Sequence, residues 1–220
     1  MFIGLFDPMF WAFVGPPLLL SLLAQAWVKG AFAKWSRVRI QSGLNGRDVA
    51  TQVLRTAGIQ GVRVEEARGF LSDHYDPRSK TLRLSAQVAN KASVAACAVA
   101  AHEAGHAIQH ARKYAPLQLR SAYVPAASIG SWLSIPLIFI GAILNSSGLI
   151  TLGVILFGAL VLFQLITLPV EFDASRRAQA VLAESGIVSD AKEAAGVSTV
   201  LTAAAMTYVA ATIQAIATLL

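Results

Sequence analysis

At 220 residues the chain has the length of one soluble domain, but its composition excludes a plain soluble enzyme. Hydrophobic residues make up 55% and charged residues only 14%, against roughly 25% charge in soluble proteins. The net charge of +6 sits beside apolar segments, as the positive-inside bias produces, and no basic stretch interleaved with aromatics supports a nucleic-acid partner.

Residues 1–28 hold a first span, Pro8 to Val28, which Pro16 and Pro17 are expected to kink. No Lys or Arg precedes it and Asp7 does, unlike a cleaved signal peptide. Residues 29–120 form a polar domain of mixed structure. Gly46 to Leu54 has helical spacing, with Gly58 placed to stop it. Val62 to Glu65 and Thr81 to Ser85 alternate like strands around an Asp76-Pro77 turn, and a small sheet is expected. Ala92 to Lys113 reads as an alanine-rich helix with Asn90 as its N-cap. The single cysteine, Cys97, forbids an intrachain disulfide and reads as a small buried thiol.

Ser121 to Val170 contains no Asp, Glu, Lys or Arg, which suits a hairpin of two spans within 121–170. Asn145 to Gly148 marks its turn, between Tyr123 to Leu144 and Leu149 to Val170. A polar helix at 171–193 follows. Then 194–220 supplies a fourth span, Gly196 to Leu220, rich in small residues suited to helix packing. Three basic groups flank the spans: Lys29, Lys34, Arg37 and Arg39; Arg112, Lys113 and Arg120; Arg176 and Arg177. All fall on one side, which the charge rule assigns to the cytoplasm, leaving both termini outside. The expected fold is mainly α: a multipass membrane protein of about four spans, with a small α+β zincin-like domain.

The helix before the hairpin carries His102-Glu103-Ala104-Gly105-His106, an HExxH motif. Two histidines at i and i+4 project from one helical face and can share a zinc ion, with the intervening glutamate as general base. Zinc brings the pKa of its water from about 15.7 towards about 7 and polarises a scissile carbonyl. A surface helix that happens to contain the five letters is the bland alternative. The apolar run from Val94 to Ala101 argues against it, because buried unpaired polar groups are costly. A third ligand is required. His110 lies i+8 from His102, about 12 Å along an intact helix, too far for one ion. His74 on the expected hairpin is a second candidate. Glu171 is preferred, as the first charge after the long uncharged stretch, where a carboxylate is costly unless paired or bound to metal. An interfacial acid partnered by Arg176 or Arg177 remains its alternative reading.

These residues match a known pattern. Phe70 to Pro77, Val99 to His110 and Leu168 to Arg177 together resemble the YugP-type neutral zinc metallopeptidases of bacterial membranes, nearly end to end. That resemblance implies a multipass membrane metallopeptidase of the bacterial cell (inner) membrane. The third segment is also similar to the E-x-x-x-D helix of HtpX-type and prenyl-protein-processing proteases, whose glutamate completes the zinc site; the similarity lands on Glu171. Ser175 stands where those proteases have aspartate, on the face of Glu171, where a weaker hydrogen bond to a ligand is possible. Asp173 is expected to point to the opposite side. HEAGH also occurs in AAA-type membrane proteases, but no G-x-x-x-x-G-K-[ST] loop is present.

The sequence therefore reads as a zinc-dependent membrane endopeptidase: His102, His106 and Glu171 bind Zn2+, and Glu103 is the general base. Its partners are the lipid bilayer and a protein or peptide substrate near the membrane, met on the cytoplasmic side; homo-oligomerisation stays open. Leu82 to Ser85 is the candidate sheet edge for substrate pairing. Arg176, His74 and Tyr123 are candidate oxyanion donors. The rival is a non-proteolytic membrane adaptor retaining a structural zinc site, which has no need of a glutamate between the histidines.

Overall fold

A computed structural model describes residues 8–69 and 72–219; Asp7, Phe70 and Leu71 of the Phe70–Pro77 segment, and Leu220 lie outside the described residues. The elements are α1 (Pro8–Trp35), α2 (Gly46–Thr56), β1 (Arg63–Ala67), β2 (His74–Asp76), β3 (Thr81–Ser85), α3 (Ala86–Ala89), α4 (Val94–Ala111), α5 (Ala115–Ile143), α6 (Ser147–Glu184) and α7 (Ala191–Leu219). Helices α1, α5, α6 and α7 are long and apolar enough to cross a membrane. The mainly α, multipass architecture with a small mixed part is therefore present.

The chain divides into two compact units. One comprises the described residues up to Gln25, Ala115–Pro169 and those from Met206 onward. Large apolar side chains such as Trp132, Phe139, Ile143 and Ile155 stand exposed on it, as lipid-facing helices require. Asn145 turns α5 into α6 in the left-handed region (φ 50). A Cβ on Gly153 would lie 2.8 Å from the Ser134 carbonyl oxygen, so the hairpin closes over small residues.

The other unit, Ala26–Tyr114 with Val170–Ala205, holds the polar domain. Its core is built on α4, whose alanine-rich faces are buried almost throughout and pack against Val49, Val53, Leu82, Leu84 and Val88. The Asn45 side chain caps α2 by accepting from Asp48 N at 3.0 Å, and Gly58 (φ 72) lies just past that helix's end.

Three details differ from the sequence expectation. Helix α4 begins at Val94, not Ala92, because Ser93 is the N-cap and its side chain accepts from Ala96 N. Asn90 instead closes the short α3 and donates to Glu66 at 2.9 Å. The sheet order is β1-β3-β2, with β3 parallel to β1 and antiparallel to β2. Leu82–Ser85 is thus the central strand and no candidate for pairing with a substrate; alternation marks a strand but not its place in a sheet. Finally, α6 continues through Pro169 and Glu171 to Glu184 as one helix, so no helix end falls where the uncharged stretch stops, although the two compact units divide there.

Candidate metal centre

Helix α4 presents His102 and His106 one turn apart, their rings 4.8 Å between centroids and nearly perpendicular. Helix α6 brings Glu171 to them: its Oε2 lies 3.1 Å from His102 Nε2 and 3.6 Å from His106 Nε2. One ligand atom from each of the three falls within 4.8 Å of the others. Two nitrogens and one oxygen converging on a point suit zinc with three protein ligands and a fourth position open. Glu171 is 2% exposed, and a carboxylate so placed requires compensation. Burial by itself disfavours a charged His106, but the Glu171 carboxylate, with Glu103 beyond it, outweighs burial and holds His106 above its ordinary value.

The two helices can approach this closely because of Gly105. A Cβ there would sit 2.6 Å from the Ala174 carbonyl oxygen of α6, inside any tolerable contact. Thus one of the two unspecified letters of the HExxH pattern is fixed by helix packing. Glu103, between the two histidines on α4, is itself buried at 9% exposure.

The other candidates are placed as follows. Ser175 Oγ lies 3.1 Å from His102 Nδ1, on the side of the ring away from Glu171. His110 faces the Tyr75 hydroxyl, 2.9 Å from its Nδ1, and His74 Nδ1 lies 2.7 Å from the Ser72 carbonyl oxygen; neither belongs to the cluster. Arg176 and Arg177 both pair with Asp173. Asp173 is not turned away from α4 as expected. It is 4% exposed and accepts from Gln109 of α4 at 2.9 Å. A position two residues from Glu171 does lie across the helix, but the long glutamine side chain reaches it. Sequence reasoning passed over Gln109, although its place one turn beyond His106 on an apolar helix was a signal. Cys97 is buried, and burial pushes its thiol up to about 12, as an inert packing residue requires.

Comparison with known proteins adds the following. Residues 10–220 match the model of a family described as "Putative neutral zinc metallopeptidase". The chain is 46% identical over 202 residues to a Bacillus subtilis (strain 168) protein described as "Putative membrane protease YugP", covering 91% of this chain and 89% of that protein. No solved structure matches the chain.

Proposed function

Because the chain belongs to the family of putative neutral zinc metallopeptidases, we propose that it is a membrane endopeptidase whose metal site is His102, His106 and Glu171 and whose general base is Glu103. The observation that carries this reading is the convergence of those three side chains, from two helices far apart in sequence, beside the buried Glu103. Zinc bound there supplies Lewis acidity, lowering the pKa of water towards about 7 and polarising a carbonyl. The chain's own residues do the rest. The His102 and His106 imidazoles and the Glu171 carboxylate would hold the metal. Glu103 takes the proton of the attacking water and hands it to the leaving amine.

Substrates are protein or peptide segments in or beside the bilayer, because Glu171 follows directly on the uncharged part of α6. The side is the cytoplasm, on the strength of the basic residues flanking the spans, and the membrane the bacterial inner membrane, on the strength of the family. An adaptor with a structural zinc would keep the ligands but has no need of a glutamate between the histidines. The test is product mapping in membranes. Glu103→Gln should retain zinc while turnover falls by about 10²-fold or more. Undiminished cleavage by that variant would remove Glu103 from the mechanism.

A further inference from the structure

Gln109 is fully buried in α4 and uses its whole amide. Its Nε2 donates to the Val170 carbonyl oxygen at 2.8 Å and to Asp173 Oδ2 at 2.9 Å. Its Oε1 lies 3.0 Å from His106 Nδ1. The amide has one sensible orientation, because both partners on the Nε2 side are acceptors only. Reversing it would set Oε1 against a carbonyl and a carboxylate and leave the donors facing His106. The carboxylate is held in turn by Arg176 and Arg177. An acceptor is therefore fixed opposite His106 Nδ1, and that nitrogen must donate. The lone pair then belongs to Nε2, the nitrogen on the Glu171 side. His102 has no such constraint, since its Nδ1 meets the Ser175 hydroxyl, which can donate or accept.

We propose that Gln109 is a positioning residue that presets His106 as an Nε2 ligand, and that Asp173 together with the Val170 carbonyl fixes the Gln109 amide. This rests on the metal site proposed above. It also gives Asp173 a role in that site, exerted at one remove through an amide. Outer-sphere partners of a ligating histidine typically change metal affinity by about 10–100-fold, and a loss of that size is expected when the acceptor is removed.

The experiment titrates zinc against a competing chelator in the detergent-solubilised full chain, for wild type, Gln109→Leu, Glu171→Ala and the pair Gln109→Glu with Asp173→Asn. Gln109→Leu keeps bulk and burial but lacks the acceptor, and should bind zinc about 10–100-fold more weakly. The double variant restores an acceptor toward His106 and a donor from position 173 but loses the bond to the Val170 carbonyl, and should bind more tightly than Gln109→Leu and less tightly than wild type. Histidine-selective 15N spectra of the zinc-loaded wild type should show His106 coordinated through Nε2 with its proton on Nδ1, a signature that a merely bolting contact between α4 and α6 does not dictate. Coordination through Nδ1, wild-type affinity in Gln109→Leu, or a double variant no tighter than Gln109→Leu would each overturn the proposal. If Gln109→Leu does not fold, the wild-type spectrum decides. Zinc kept at full affinity by Glu171→Ala would sink the metal-site reading and this inference together. Zinc lost there but kept by Gln109→Leu sinks only the inference.

Discussion

Placing a methyl group on Gly105 tests whether backbone contact between α4 and α6 is what delivers the third ligand. The added Cβ would stand 2.6 Å from the Ala174 oxygen, 3.2 Å from its carbonyl carbon and 3.3 Å from its Cα. All three atoms belong to the backbone of a long helix, so no side chain can swing aside. Ordinary contact begins near 3.4 Å, and α6 must therefore retreat locally by about 0.8 Å. Glu171 lies less than one turn before Ala174 and moves with it. A zinc site tolerates about 0.2 Å in its ligand distances, several times less than that retreat. Gly105→Ala should thus lower zinc affinity on the order of 10–100-fold and cost about 1–3 kcal/mol in stability from overpacking. Chelator competition reads the first quantity and thermal unfolding of the metal-free protein the second. Gly30→Ala is the control, since a Cβ there meets nothing within 4 Å and alanine is the better helix former. Wild-type zinc affinity in Gly105→Ala would refute the claim that this approach sets the site.

Glu171→Ala should leave two histidines unable to hold zinc, so elemental analysis of the purified variant should find the metal largely lost. Cys97, 1% exposed and with its thiol pushed up to about 12, should resist iodoacetamide in the folded protein and react only on unfolding. That inertness makes the native chain a silent background for mapping topology. Ser42 and Ser147 are exposed and suit cysteine reporters, whereas Ser85 is 3% exposed and bonded to Asp73. Ser42→Cys should label from the cytoplasm and Ser147→Cys from outside; the reverse pattern would invert the orientation drawn from charge.

The spans were legible because lipid forbids charge, and a long uncharged stretch has no water-facing surface to offer. The two clustered histidines were legible because their spacing is a helical period, and Glu171, which meets them, because a carboxylate stood alone beside an apolar run. What stayed hidden depended on partners across space. Asn90 and Ser93 are both good caps, and only the path of the chain decides between them. Val64 and Leu82 alternate alike, yet pairing puts one strand at an edge and the other at the centre. A helical projection set Asp173 opposite Glu171 correctly by angle, and still missed that a glutamine from α4 meets it. Gly105 looked like a free letter because its constraint comes from a carbonyl 69 residues away.

The unbroken course of α6 has a mechanical consequence. Its 38 residues at 1.5 Å per residue have a contour of about 57 Å, nearly twice the ~30 Å thickness of hydrocarbon. The apolar part alone, from Ser147 to Pro169, measures about 34 Å, roughly 4 Å more than it has to cross. Tilt shortens that reach by the cosine of the angle, and a thicker bilayer takes up the excess ångström for ångström. The same segment is therefore a depth gauge, and lipid chain length sets how steeply it must stand.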